Sequence, residues 1–158
     1  MIRHARVEDA EAVARVQIAS WRGAYAHLFT DEQFEGISLE ERTAFWRRFC
    51  PLVAEDDGEV VGFVAVGHAN DDDADGQLYA IYVRPDRWDT GVGRELMHAG
   101  EERLRELGHG SAVLWVFEDN PRVRRFYERA GWATDGQRKP HAEVFGMANP
   151  VVRYRKTL

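Results

Sequence analysis

Two stretches of the chain combine residue types at spacings that can do chemistry. In the first, Trp88-Asp89-Thr90-Gly91-Val92-Gly93 follows a segment of strand character and opens a helix. Glycine lets the main chain come close to an anion, and the unpaired amides of a helix N-terminus point at it. A pyrophosphate there would meet backbone N–H groups and the positive end of the helix dipole. The same residues also suit a tight strand-to-helix turn that binds nothing, and two glycines alone do not separate these readings. In the second stretch, Asn120-Pro121 caps a helix that carries Phe126 and Tyr127 and stops at Gly131. The simplest account of that helix is a plain asparagine cap with the two aromatic residues packed inward.

Other patterns fall short of a site. No Gly-Lys-Ser/Thr follows the glycine turn, which excludes a Walker loop, and Leu96 stands where a dinucleotide fingerprint has its third glycine. Asp71-x-Asp73-x-Asp75-Gly76 has the first half of a calcium loop, but position twelve is Tyr82, where a bidentate Glu is required. Residues 70–76 read instead as a solvated acidic loop that attracts cationic ligands. The histidines His4, His27, His68, His98, His109 and His141 show no ligand spacing, so no metal is expected. Cys50 precedes a proline and reads as a packed thiol, and there is no GxSxG elbow.

The elements that must position these residues follow from periodicity and punctuation. A short strand is expected over 3–7, then a helix over 8–22 with Val13, Val16 or Gln17, Trp21 and Ala24 near helical spacing. Thr30 with Gln33 and Ser38 with Glu41 are capping boxes. The second opens a helix with Phe45, Trp46 and Phe49 that Pro51 stops. Strands over 52–55 and 59–68 form a hairpin about Asp57-Gly58. A strand over 77–83, a helix over 91–107 with Leu96, Leu104 and Leu107 toward the core, and a strand over 111–117 buried on both faces follow. A helix over 121–130 and closing strands over 132–138 and 151–156 complete the order. This predicts an α+β or mixed α/β sheet with helices on both faces. Strand alternation puts Gln77, Tyr79 and Ile81 on one face, and Trp21 and Tyr25, four apart on a helix, share another, where core packing of large aromatics is the plain reading.

The bulk numbers narrow the classes. A chain of 158 residues suits one domain spanning 1–158, with a core that needs no disulfide. Its formal charge of −6 is a poor match to nucleic acid, which wants a basic face. A single cysteine fits a reducing cytoplasm. The N-terminal residues lack a signal-peptide pattern, and no run of eighteen apolar residues is present, so a cytoplasmic protein with no membrane partner is expected.

Taken together, the two stretches resemble the acyl-CoA site of the GCN5-related N-acetyltransferase (GNAT) family. That family carries Gln/Arg-x-x-Gly-x-Gly/Ala after a strand ending in Val-x-Pro; here Val83-Arg84-Pro85 is followed by Trp88-x-x-Gly91-x-Gly93. Its second motif has an Asn near a helix start and Phe-Tyr-Glu-x-x-Gly-Phe/Trp; here Asn120 is followed by Phe126-Tyr127-Glu128-Arg129-Ala130-Gly131-Trp132. Trp88 replaces the usual Gln or Arg, which leaves the amides in place but is expected to loosen the start of the loop.

The resemblance implies a central mixed, mostly antiparallel sheet and an N-acetyltransferase. Acetyl-CoA would donate to a primary amine of a small molecule by direct attack in a ternary complex. The rival implications are a protein or peptide N-terminus as acceptor, or a non-catalytic acyl-CoA sensor. A bare nucleotide-binding module is disfavoured by Asn120 and the pantetheine-facing strand. Trp88, Asp89, Thr90, Gly91, Val92, Gly93 and Arg94 would frame the pyrophosphate, and the main chain of Ile81, Tyr82 and Val83 would pair with the pantetheine arm as a strand does. The amides near Ile81 and Val83 would stabilise the oxyanion. Asn120 would hydrogen-bond pantetheine. Arg122 is either part of a solvated basic face or a contact to the ribose phosphate. Tyr127 would sit at the thioester sulfur, where a phenol of reference pKa about 10 donates a proton to the departing thiolate. Trp21, Tyr25, Gln77 and Tyr79 would line the acceptor. Many relatives place a glutamate base where this chain has Gln77, which cannot act as a base. Asp75, Glu118, a water chain or an acceptor of low pKa stay open for that task. Family members often form homodimers, and nothing in the sequence picks out an interface.

Overall fold

Asp57 and Gly58 take φ of 50° and 78°, the two positive values a type I′ turn needs, and join β2 (Leu52–Asp56) to β3 (Glu59–His68). The structure is a computed structural model that describes residues 1–144 and 147–158. β1 (Ile2–His4) pairs antiparallel with β2. β4 (Gly76–Val83), β5 (Ser111–Phe117), β6 (Ala133–Val144) and β7 (Met147–Thr157) complete a seven-stranded sheet of order β1-β2-β3-β4-β5-β7-β6. β4 and β5 run parallel, whereas β1–β2, β2–β3, β5–β7 and β6–β7 are antiparallel. The sheet is therefore mixed and mostly antiparallel. Residues 1–65 with 80–100 make one compact unit, and residues 66–79 with 101–158 make a second.

In the first unit, α1 (Ala10–Tyr25) and α3 (Leu39–Arg48) pack on one face of the strands. Their core is Val13, Ala14 and Val16 of α1, Trp46 of α3, Val53 of β2 and Phe63 of β3. The Trp46 indole N–H donates to the buried Gln17 carboxamide at 2.9 Å, so neither polar group is stranded. Of the two aromatic residues of α3, Trp46 is buried and Phe45 exposed; Phe49, just past the helix end, is exposed too. Gly62, next to Phe63, faces the other way: a Cβ there would meet Leu96 of α4 (Val92–Glu106) at 2.9 Å. Successive strand residues point to opposite faces, so helices cover both.

The short α2 (Asp31–Glu35) carries both halves of the Thr30/Gln33 capping box, and the Ser38 hydroxyl accepts from the Glu41 amide at 3.1 Å to open α3. The first strand is shorter than expected and α1 starts later. The Asp9 carboxylate accepts from Arg3 at 2.7 Å and from the Arg6 amide at 2.7 Å, which curls Val7–Asp9 into a 3₁₀ turn.

In the second unit, β5 is buried on both faces, with Ala112, Val113 and Leu114 essentially inaccessible. It pairs with β7 along its whole length, from Ser111↔Thr157 to Phe117↔Val151. α5 (Pro121–Arg129) lies on the Leu114 and Tyr154 side, where the Tyr127 and Tyr154 rings are 6.1 Å apart. On that side Lys156 pairs with Glu101 at 2.7 Å, and the Trp132 indole N–H donates to the same carboxylate at 3.2 Å. β6 and β7 run to 12 and 11 residues, well beyond the expected segments. The register of β6 shifts between Thr134 and Arg138 and between Lys139 and Ala142. Gly136 and Pro140 fall in those irregularities and break the alternation that would have announced a long strand. No helix among the described residues is long and apolar enough to cross a membrane.

Candidate functional site

The glycine turn is held in place by its own side chains. Beyond β4, Pro85–Arg87 forms a 3₁₀ turn. The Trp88 indole N–H then donates back to the Val83 carbonyl at 2.7 Å, and the Thr90 hydroxyl donates to the Arg87 carbonyl at 2.6 Å. Asp89 and Gly91 take φ of 62° and 96°, the left-handed region that Asp tolerates and Gly enters freely. The first helical bond of α4 runs from the Glu95 amide to the Gly91 carbonyl at 3.1 Å. The amides of Val92, Gly93 and Arg94 thus have no acceptor within their own helix, which is the arrangement that receives an anion. Trp88 does not loosen this loop, as its place in the motif suggested; it pins it. No local pattern marks the residue that makes room for it. A Cβ on Gly23 of α1 would meet the Trp88 ring at 3.0 Å and Pro85 at 3.3 Å.

Upstream of the turn, the Arg84 amide donates to the Val61 carbonyl at 2.8 Å and ties the end of β4 to β3. Ile81, Tyr82 and Val83 are half-buried. The Tyr82 hydroxyl accepts from the Trp21 indole N–H at 2.7 Å. Burial, then the nearby Tyr25, push the Tyr82 pKa up, and the Trp21 bond partly offsets this. Trp21 and Tyr25 are themselves buried, with rings 4.8 Å apart, in an aromatic cluster that continues through Phe29 to Phe34.

The second unit brings together Asn120 and Tyr127. Asn120 is 3% exposed and caps α5, its side-chain oxygen accepting from the Val123 amide at 3.4 Å. Its Nδ2 is buried and has no partner among the described residues. A buried donor without an acceptor is costly, and native structures rarely keep one without a use. Tyr127 is buried between Phe126 and Tyr154. Arg124 fixes this corner by donating to the Tyr154 hydroxyl at 2.9 Å and to the Glu118 carbonyl at 3.1 Å. The helix closes in a Schellman motif: the Trp132 amide donates to the Tyr127 carbonyl at 3.0 Å and the Gly131 amide to the Glu128 carbonyl at 3.1 Å. Arg122 is exposed on the first turn of α5.

Gln77, at the family's base position, and the carboxylates Asp75 and Glu118 are all engaged. Gln77 is buried, and its carboxamide oxygen accepts from the Asn70 amide at 3.2 Å. Asp75 pairs with His109 Nδ1 at 2.9 Å and accepts from the Gly110 amide at 3.0 Å; His109 chiefly holds its carboxyl below the usual range. Glu118 accepts two bonds from Arg138, both 3.0 Å, and the guanidinium holds its carboxyl down likewise. A carboxylate stabilised in this way is a weaker proton acceptor. Tyr79 is exposed and its hydroxyl donates to the His68 carbonyl; desolvation, then Asp71, raise its pKa.

The acidic loop is exposed at Asp72, Asp73 and Asp75, as expected, but it is also tied down. Arg153, only 4% exposed, bridges Asp73 at 2.6 Å, Asp135 at 2.7 Å and Asp71 at 3.2 Å. Two of the loop's carboxylates, Asp71 and Asp73, are paired by the last strand, across some eighty positions, which no local pattern signals.

Residues 11–132 match the model of the acetyltransferase (GNAT) family. An uncharacterized N-acetyltransferase of Bacillus subtilis (strain 168), YuaI, is 33% identical over 128 residues, covering 77% of this chain and 74% of its own. An uncharacterized N-acetyltransferase of Archaeoglobus fulgidus is 30% identical over 80% of this chain and 88% of its own. A mycothiol acetyltransferase of Propionibacterium freudenreichii is 43% identical, but over 52% of this chain and 27% of its own. Among solved structures, PaiA N-acetyltransferase of Thermoplasma acidophilum in complex with coenzyme A superposes with a TM-score of 0.77 at 20% identity, covering 100% of this chain and 98% of its own. A GCN5-related N-acetyltransferase of Rhodopseudomonas palustris gives 0.80 at 23%, covering 100% and 95%.

Proposed function

From the premise that this chain belongs to the GNAT acetyltransferase family, we propose that it transfers the acetyl group of acetyl-CoA to a primary amine of a small molecule, by direct attack in a ternary complex. The observation that carries this reading is the buried, unpartnered Nδ2 of Asn120. It fits an amide carbonyl of the pantetheine arm, which would satisfy a buried side-chain donor that has no partner among the described residues. The first-turn amides of α4 fit the pyrophosphate, with Trp88, Asp89 and Thr90 shaping the approach. The main chain of Ile81, Tyr82 and Val83 would bind pantetheine as an added strand. Because Trp88 already occupies the Val83 carbonyl, Val83 would contribute its N–H. Arg94 and Arg122 supply positive charge toward phosphate groups.

Bound acetyl-CoA supplies an activated acyl carbon and a thiol leaving group. The amine nitrogen forms its bond to that carbon as the C–S bond breaks. N–H groups of β4 would hold the negative charge that develops on the carbonyl oxygen. The Tyr127 hydroxyl would give its proton to the departing sulfur and recover one from solvent. Trp21, Tyr25, Gln77 and Tyr79 would wall the acceptor. With Asp75 bonded to His109 and Glu118 to Arg138, the amine's proton would leave through water rather than to a carboxylate. The likeness to mycothiol acetyltransferases supports a small molecule over a protein as acceptor. The same engagement of every candidate base favours, as a second reading, an acyl-CoA sensor.

Thiol release from acetyl-CoA across a panel of amines separates the two readings. Acceptor-dependent release is expected; acetyl-CoA binding with silence on every amine favours the sensor. Asn120→Asp tests the site itself. Aspartate keeps the capping oxygen, at some cost in melting temperature for a buried carboxylate, while loss of the N–H donor should weaken coenzyme A binding of the folded variant about tenfold or more by calorimetry. Unchanged affinity in that variant would reduce Asn120 to a cap.

A further inference from the structure

The second unit contains a cleft of about 350 Å³ that none of the residues above explains, between the acidic loop and β6. Trp115 of β5 lines it, and the ammonium of Lys139 lies 4.2 Å from the centre of the Trp115 ring. The Trp115 indole N–H donates to Asp71 at 2.9 Å, which fixes the plane of the ring. Asp71 and Asp73 are in turn held by Arg153. The cleft is thus built from groups whose positions the fold already sets. Two of its charged groups are uncommitted: among the described residues, neither the Asp72 carboxylate nor the Lys139 ammonium makes an ion pair or hydrogen bond.

We infer that this cleft is a seat for an organic ammonium group, occupied here by the chain's own Lys139, and that the acceptor is a molecule with a second cationic nitrogen remote from its reacting amine. An ammonium over an indole face at an exposed site gains a factor of about two to five in an equilibrium constant. Lys139 is exposed and held by that contact alone, so it is readily displaced. With Lys139 swung out, Asp71, Asp72, Asp73 and Asp135 face only the guanidinium groups of Arg153 and Arg155, since Arg138 is neutralised by Glu118. The vacated seat carries net negative charge above an aromatic floor, a combination that selects an organic cation. It also lies along the acceptor wall. Gln77 pairs with Val113, and Trp115 stands two residues further along β5 on the same face, roughly 7 Å away. The Gln77 carboxamide is bonded to Asn70, the residue before Asp71. A chain of a few carbons spans that separation. The acceptor half of this inference rests on the acetyltransferase reading; the cation seat does not.

Two readouts keep these apart. The first is binding of 1,4-diaminobutane and of n-pentylamine, which has a methyl group in place of one ammonium, measured in every variant by calorimetry and located in the parent by the Trp115 indole NMR resonance, assigned through Trp115→Phe. The diamine should shift that resonance and the monoamine should not. Lys139→Gln should tighten the diamine about two- to fivefold. Asp72→Asn, an exposed change that spares packing, should weaken it, and Trp115→Leu should abolish it. Equal binding of diamine and monoamine, or a Trp115→Leu variant that folds and binds the diamine as the parent does, overturns the seat. The second readout is thiol release. A diamine that binds but releases no thiol, alongside other amines that also release none, removes the acetyltransferase reading and leaves the seat standing. Release with diamine and monoamine at equal kcat/KM keeps that reading and overturns the assigned acceptor class.

Discussion

Replacing Tyr127 by phenylalanine is expected to lower the rate of acetyl transfer about a hundredfold while leaving the affinity for acetyl-CoA within twofold. The substitution removes one hydroxyl and keeps the ring. The ring lies buried between Phe126 and Tyr154, and α5 is fixed at both ends by the Asn120 cap and the Gly131 turn, so phenylalanine keeps its place. The hydroxyl's contribution arises only as the thiolate departs, when a donor at the sulfur lowers the barrier; binding of the thioester itself draws little on it. Single-turnover kinetics is the measurement to use, because slow product release would hide the change in the steady state. An unchanged single-turnover rate would remove Tyr127 from the chemistry and restore its plain role as a core aromatic.

Arg153→Leu should cost about 2–3 kcal/mol of stability, or roughly 5–10 °C in melting temperature. The side chain is 4% exposed and bridges three carboxylates. Leucine fills part of its volume but leaves Asp71 without its cation, and Asp73 and Asp135 with only the longer contacts of Arg155 at 3.8 and 3.4 Å. The figure sits below that of a fully buried pair because Asp73 itself is largely exposed and water screens it. The sign of the pH dependence follows from Asp73. Its hydrogen bond to Arg153 holds its pKa at about 2, below the roughly 3.9 of an unfolded aspartate. A depressed carboxyl contributes stability above the unfolded value and loses it as the pH falls toward the folded one. The parent should therefore lose this contribution between about pH 4 and pH 2, and the variant has none to lose. Urea melts of both proteins at neutral pH and near pH 3 should show the gap narrowing with acid; a gap equal at both would remove the ion pair as its cause.

Where a residue's role depends on its near neighbours in sequence, the chain was readable. The hairpin at Asp57-Gly58, the Thr30 and Asn120 caps, the Gly131 stop and strand β5 all rest on local backbone preference or a continuous apolar run. What escaped reading depends on distant partners. Gly23 looks like any helical glycine until Trp88 packs against it. The acidic loop looks untethered until Arg153, some eighty residues later, reaches it. Trp88 looked like a weakened motif position because its bond partner, the Val83 carbonyl, is a main-chain group and carries no sequence signature. Gln77 marked the missing base from sequence alone, but only the structure shows its carboxamide spent on Asn70 and the substitute carboxylates spent on His109 and Arg138. β6 was cut short because Gly136 and Pro140 interrupt an alternation that the pairing with β7 tolerates through its irregular register.

The placement of β7 between β5 and β6 bears on how the chain matures as it is made. A polypeptide emerges from the ribosome N-terminus first, and its early segments begin to fold before the late ones exist. All of the first compact unit lies within residues 1–100, so its hairpin, helices and glycine turn have every partner they need early in synthesis. The second unit does not. β5 waits for β7 as its neighbour, Glu101 for Lys156, and the acidic loop for Arg153. Until the final strand is delivered, one edge of β5 stays open and three aspartates repel one another. A nascent chain arrested before residue 150 is thus expected to present a finished half beside an unsealed strand, the state in which a chaperone has most to do.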